Sequence, residues 1–234
     1  MIGFGIVSKT MKAKRLCSLF AVLLLATYSF ADSAWKPLFD GQTFDGWTFD
    51  VLDDSPAASI FSISDGVLNI EGAGKSKAVI QSKGSYSNFE LEFEWLWPAK
   101  PGNSGCLLFC SGKRFMSVWP KSLEVQMQHG SAGDFIYIGE TIDVTKEQLP
   151  IYDKEKESWK KRLRLNLTDD SEKTPGQWNH CRIISNDGEV TVYVNGDLVN
   201  KGWNATARSG RICFQAEFAD VQYRNIRILE TATR

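Results

Sequence analysis

Apolar and polar positions alternate with a period of two through much of the chain beyond residue 34. Phe89, Leu91, Phe93, Trp95 and Trp97 alternate with Glu90, Glu92 and Glu94. Leu123, Val125 and Met127 alternate with Glu124, Gln126 and Gln128, and Phe214, Ala216 and Phe218 with Gln215 and Glu217. Successive side chains of a strand point to opposite faces, so this period predicts strands with one face in a core. The run 61–70 predicts two short strands joined at Asp65-Gly66, a hairpin signal. The run 180–200 predicts strands joined through Asn186-Asp187-Gly188, with a further turn at Asn195-Gly196. Residues 105–110, GCLLFC, are apolar throughout and predict a central strand, and 211–230 predicts a closing pair of strands. Short strands at this spacing, separated by such turns, predict an all-β, antiparallel two-sheet sandwich.

Two stretches depart from the alternation. Residues 1–31 join a basic start (Lys9, Lys12, Lys14, Arg15) to an apolar run of about 16 residues and a small-x-small site at Ser29-Phe30-Ala31. The run is short of the ~20 residues a spanning helix needs. It predicts a signal peptide, a secreted or periplasmic bacterial protein and a single domain over 32–234 with no transmembrane span. Residues 140–175 form an irregular insertion, and within it 154–164 holds six basic and two acidic residues. That segment reads either as a solvated surface excursion or as a flap bordering a ligand site. Without residues 1–31 the chain keeps 23 of its 27 basic residues against 28 acidic ones, a net charge of about −5. This argues against a nucleic-acid partner. Four cysteines remain, Cys106, Cys110, Cys181 and Cys213, all in apolar runs, which reads as buried free thiols. Nothing in the pattern fixes an oligomeric state.

The polar faces carry the candidate chemistry. Glu124 and Gln126 share one face about 6.6 Å apart, at ~3.3 Å per residue. Gln215 and Glu217 share another. If the two strands are neighbours, the four form one polar patch; otherwise both are ordinary wet faces. His129 follows the first strand and precedes a Gly-rich turn, so it is either a catalytic or metal-binding group at the rim or a surface residue. Asp134 reads as a metal ligand or a turn former. Asn103 and Ser104, in PGNSG, read as substrate-binding or turn residues. Trp119 and Trp97 are candidates to stack on a sugar, Trp95 belongs to the core, and His180 is structural.

Five motifs in order carry a resemblance. WKPLFDGQTFDGW (35–47), GNSGCLLF (102–109), WPKSLEVQMQHGSAGDF (119–135), GQWNHCRI with VYVNGDLVN (176–183 and 192–200) and GRICFQAEFADVQYRNIRI (210–228) resemble the motifs of the 3-keto-disaccharide hydrolase family. The resemblance covers about 35–230. Two positions depart from it: Phe109 stands where the family has Arg, and Phe218 where it has Gly. The resemblance implies a concanavalin A-like jelly-roll sandwich that acts on 3-keto-glycosides, as a lyase and hydratase whose net reaction is hydrolysis. It makes Glu124, Glu217 and His129 the catalytic candidates. Gln126, Gln215, Asn103, Ser104 and Trp119 are the substrate-binding ones. Loss of the Arg removes a sugar or enolate contact.

A ketone at C3 of a glucoside acidifies the C2 hydrogen, because the carbanion delocalises as an enolate. Such a site needs a base, a stabiliser for the enolate oxygen and an acid for the leaving group. Glu124 is the first candidate for the base. Carboxylate, amide and imidazole groups suit a divalent cation such as Ca²⁺, Mg²⁺ or Mn²⁺, with Glu124 and Asp134 as ligands. Two further readings stand beside the enzyme. One is a non-catalytic, lectin-like carbohydrate-binding module. The other is an accessory domain that uses the basic 154–164 stretch for protein contact.

Overall fold

A computed structural model of the protein describes residues 1–3 and 34–231. Apart from its first three residues, the predicted signal peptide lies outside the described residues. No helix of the described residues is long and apolar enough to cross a membrane.

The strands form two sheets, and every pair of neighbouring strands is antiparallel. The first runs β13 (Asp197–Gly202), β12 (Glu189–Val194), β11 (Asn179–Asn186), β6 (Phe89–Leu96), β15 (Val221–Glu230), β4 (Val67–Ile70) and β3 (Phe61–Ser64), with β1 (Lys36–Pro37) also paired to β15. The second runs β10 (Leu163–Arg164), β9 (Phe135–Ile138), β8 (Trp119–Gln126), β7 (Gly105–Met116), β14 (Arg211–Ala216), β5 (Ala78–Ser82) and β2 (Trp47–Val51). The predicted sandwich is therefore present. The Asp65-Gly66 hairpin forms as expected, with φ of 51° and 77°, the left-handed pair that a two-residue turn requires.

Two expectations change in detail. The strands β14 and β15 do not pair with each other. Each sits in a different sheet, and residues 217–220 carry the chain across. The apolar GCLLFC segment is central in its sheet, but β7 continues beyond it to Met116, and Ser111 to Phe115 are exposed.

Between the sheets, the apolar sides of β6, β8, β11, β14 and β15 interlock. On β6 the burial pattern alternates along the whole strand, with Phe89, Leu91, Phe93 and Trp95 inside. The outward Glu90, Glu92 and Glu94 meet Arg182, Arg227 and Arg224 across the strands. Such exposed pairs contribute only ~0.2–1 kcal/mol each, so burial dominates the stability of this sheet. The ring of Phe93 joins the layers: its centroid lies 5.2 Å from Phe214 of the second sheet, 5.7 Å from Tyr223 and 6.4 Å from Trp95. All four cysteines are buried and free, with the sulfurs of Cys110 and Cys213 2.9 Å apart on adjacent strands.

Replacing Phe93 with Ala empties the junction between the sheets. The expected loss is ~3–5 kcal/mol of unfolding free energy, read from urea denaturation. A loss below 1 kcal/mol would mean the two sheets do not depend on this contact.

Candidate functional site

The outer face of the second sheet carries the polar patch. On β8, Leu123 and Val125 enter the core, which turns Glu124 and Gln126 outward. On β14, Phe214 and Ala216 do the same, which turns Gln215 and then Glu217 outward. The two strands are not neighbours. Strand β7 lies between them, with Gly105 opposite Gln126 and Leu107 opposite both Glu124 and Cys213. Gly105 closes the gap. A Cβ at this position would lie under 3.0 Å from the Glu124 carboxyl and the Gln215 amide, so only glycine lets the two side chains converge over the middle strand. An apolar group of Val79, Leu107, Cys110, Val118, Trp119, Ile138 and Cys213 adjoins them on the same face.

Glu217 ends the patch. Its carboxylate accepts a hydrogen bond from Asn103 Nδ2 at 3.0 Å and pairs with Lys77 Nζ at 2.7 Å. The backbone of Asn103 bridges to both Glu217 and Phe218. Lys77 also lies 4.5 Å from the Phe218 ring centroid and 5.9 Å from that of Trp119. Glu124 is only 4% exposed. Burial, then the negative charge of Glu217, pushes its carboxyl up to about 8, against smaller opposing effects of the Gln215 amide and the Arg162 guanidinium. Asn103 Oδ1 and Gln81 Nε2 of this face are buried without a hydrogen-bond partner, and the buried Gln215 amide meets only the Glu124 carboxyl. Buried polar atoms are normally paired, so this concentration points to a polar ligand or water.

The other expected site residues fall in different places. Gln126 folds its amide oxygen onto the backbone N–H groups of Met127 and Gln128. Ser104 faces away from the patch: its hydroxyl donates to the Gln215 carbonyl and meets the Tyr223 hydroxyl inside the sandwich, so its place is structural. The Nδ1 of His129 turns to Glu172 at 3.4 Å and makes no hydrogen bond with either carboxyl of the patch. Asp134 is buried, which pushes its carboxyl up to about 7, and it accepts a hydrogen bond from the Asn166 backbone. Trp119 is 4% exposed and packs beside the patch. It offers a wall rather than an open stacking face. Trp97 and Trp95 lie in the core. His180 stands on the far sheet, near Glu92.

The irregular 140–175 stretch is pinned down. Leu165 N donates to Gln148 O, Leu167 N to Val199 O, and Gln148 Nε2 to Asn200 Oδ1. Its Arg162 rests on Met116 Sδ at 2.8 Å and acts electrostatically on Glu124. Arg162 of this stretch therefore borders the patch. Arg162, Lys77 and Gly105 are the site-forming residues that sequence reasoning missed. Lys77 just precedes β5, and only the β5–β14 register (Ala78 beside Ala216) brings it to Glu217.

Phe109, at the expected Arg position, has φ of 58° and sends its ring into the core against Phe89. No side chain reaches the patch from this position. Phe218, at the expected Gly position, has φ of 65° and is 66% exposed. A bulky residue in this region costs ~1–2 kcal/mol.

A cavity of about 640 Å³ lies on the other sheet, lined among others by Trp35, Glu92, Glu94, His180 and Arg227. Its Glu92 and Glu94 are matched by Arg227 and Arg224, and none of its lining side chains has an orphaned buried polar atom. The smaller patch, with its perturbed carboxyl and unpaired amides, is the better candidate for chemistry.

Residues 34–229 match the family described as the 3-keto-alpha-glucoside-1,2-lyase-like domain. The chain belongs to this family. It is 39% identical over 74 residues to a 3-keto-disaccharide hydrolase of Bacteroides thetaiotaomicron, a stretch covering 29% of this chain and 24% of that protein. The match thus spans about a quarter of that relative's length. A provisionally assigned glycosyl hydrolase structure from Parabacteroides distasonis superposes with a TM-score of 0.61 at 20% identity, covering 85% of this chain and 94% of that one. The carbohydrate-binding module CBM66 from Bacillus subtilis superposes at 0.50 with 12% identity, covering 79% and 96%. These structural likenesses establish the concanavalin A-like sandwich fold.

The raised Glu124 carboxyl sets a sign for stability. Its folded value of about 8 exceeds the ordinary 4.5, so the folded state holds the proton more tightly than the unfolded one. The stability this contributes is full below about 4.5 and drains as pH climbs to about 8. Glu124→Gln is expected to flatten much of that decline in a thermal-denaturation series from pH 5 to 8.5. Asp134 leaves a smaller slope below pH 7. Superimposable profiles for the two proteins would show that Glu124 does not titrate as a buried acid.

Proposed function

We propose that this protein cleaves 3-keto-glucosides by elimination and rehydration, a net hydrolysis. The carrying observation is a pair of carboxyl groups on one face in opposite environments: Glu124 is buried and holds its proton at neutral pH, while Glu217 is ion-paired with Lys77. Two carboxyls with environments pushed apart divide into acid and base. In this reading Glu217 removes the C2 proton of the bound 3-keto ring. Its own charge is neutralised as it does so, which leaves the Lys77 ammonium and the Asn103 amide to stabilise the enolate oxygen. The enolate collapses, the C1–O bond breaks, and Glu124 gives its proton to the departing oxygen. Water then adds to the glucal with the roles reversed. Glu124, now a carboxylate, takes a proton from water as the oxygen bonds to C1, and Glu217 returns a proton to C2. The unpaired Gln81 Nε2 and Asn103 Oδ1 hold substrate hydroxyls, and Arg162 borders the reacting end. The assignment of base to Glu217 reverses the first expectation for Glu124, and the reason is burial.

The donor set does not fit the divalent metal that the sequence suggested. Among the described residues no three His, Cys, Asp or Glu side chains converge. The Asn166 backbone occupies one oxygen of Asp134 and Lys77 occupies Glu217. No step runs through a metal, and EDTA is expected to leave both the rate and the melting temperature unchanged. A loss of either on chelation, restored by Ca²⁺, Mg²⁺ or Mn²⁺, would reinstate a metal. Residues 1–31, read as an export signal, place the reaction outside the cytoplasm; the mature N-terminus is then expected at Asp32.

The test is incubation of purified protein with 3-keto-trehalose in D₂O, followed by mass spectrometry. Release of 3-keto-glucose is expected, bearing deuterium at C2 to the extent that the proton on Glu217 exchanges with solvent before it returns, with a rate that falls as pH rises through about 8. Glu124→Gln is expected to lower kcat ~10²–10⁴-fold. Undiminished turnover in that variant removes Glu124 from the chemistry. Sugar binding without any product favours a carbohydrate-binding module, a role the sandwich fold serves in CBM66 by its name.

A further inference from the structure

We infer that Phe218 is the stacking platform of a second subsite, which takes the leaving sugar ring of a disaccharide in the cavity beside Glu217. The inference rests on the function proposed above. Phe218 is held at φ 65°, a conformation suited to glycine, and its ring is 66% exposed. The residue therefore combines backbone strain with an uncovered apolar surface, and packing offsets neither. Strain retained in this way marks a position with a use. Its location supplies the use. Glu217 is the preceding residue, and Asn103 bridges to both through the backbone. Lys77 lies 4.5 Å from the ring centroid while pairing with Glu217. The ring therefore shares Lys77 with the proposed base. It also lines a cavity of about 360 Å³ together with Lys100, Gly102 and Asp220.

The chemistry of this cavity selects a class of ligand. A flat aromatic ring stacks on the C–H face of a pyranose. An ammonium and a carboxylate on the same walls suit the hydroxyl groups around its edge. Gly102 permits the close approach of Ala219 that shapes the cavity: a Cβ there would stand 2.5 Å from the Ala219 methyl carbon. The 3-keto ring reacts between the carboxyls, so the ring over Phe218 is the one on the other side of the breaking bond. Phe218 touches that ring and not the reacting atoms. It acts on affinity and leaving-group preference rather than on bond breaking.

The experiment compares two substrates with the same keto ring, 3-keto-trehalose and methyl 3-keto-α-glucoside. The protein as it stands is expected to show a lower KM for the disaccharide. Phe218→Gly is expected to raise that KM about 10-fold relative to the KM for the methyl glucoside, with Tm unchanged or higher. Phe218→Trp is expected to restore the lower KM. An unaltered KM ratio in Phe218→Gly, or no preference in the unmodified protein, overturns the subsite and leaves the proposed reaction standing. If neither substrate is cleaved, the proposed reaction has failed, and the subsite is read from calorimetry with trehalose. Binding that weakens about 10-fold in Phe218→Gly sustains it. Equal binding, or none, overturns it.

Discussion

The contact of Phe214 with Phe93 and Tyr223, across the gap between the two sheets, sets the orientation of β14. Once that ring points inward, the two-residue repeat of a strand sends Gln215 outward, and Glu217 follows it beyond the strand's end. Leu123 and Val125 impose the same choice on β8 and send Glu124 outward. A slip of one residue in either strand would bury the carboxyl between the sheets and expose the aromatic or aliphatic partner. The position of the polar patch is thus a consequence of core packing, and its members are placed by residues they never touch.

The two outer faces of the sandwich show how differently charge can be handled. On the first sheet, Glu90, Glu92 and Glu94 each have an arginine of a neighbouring strand beside them. On the second, one carboxyl lies buried beside a second, and amide groups remain without partners. The second leaves buried polar atoms unpaired, which is costly. A buried carboxyl keeps its proton because ionising it near another negative charge, away from water, costs more than holding it. That same cost keeps Glu124 protonated at neutral pH.

The segment 140–175 and Phe218 complete the surroundings. The first brings a guanidinium to the edge of the patch from far along the chain, held by hydrogen bonds to β9, β13 and its own turns. The second places an aromatic ring at the rim at the expense of an unfavourable backbone conformation. Phe109 shows the opposite use of a left-handed bend. There it turns an aromatic ring into the core and removes it from the site. Two departures from one family pattern, read alike from the letters, thus have opposite positions in the fold.

The sequence alone determined the strands, the sandwich and the polar faces, because each follows from local periodicity and turn chemistry. The alternation around Phe93 and the Asp65-Gly66 turn needed no knowledge of neighbours. It also determined the family, through motifs spread from 35 to 228. What it left open was every relation between distant strands. Nothing local says that β7 lies between β8 and β14, that Gly105 makes room there for two side chains, or that Lys77 meets Glu217 across 140 residues. Nor could it tell that the Ser104 hydroxyl turns inward to Tyr223. Those facts, and with them the different environments of Glu124 and Glu217, come from tertiary structure. Burial and proximity raise a carboxyl's proton affinity, and both are properties of the packed sheet rather than of any segment within it.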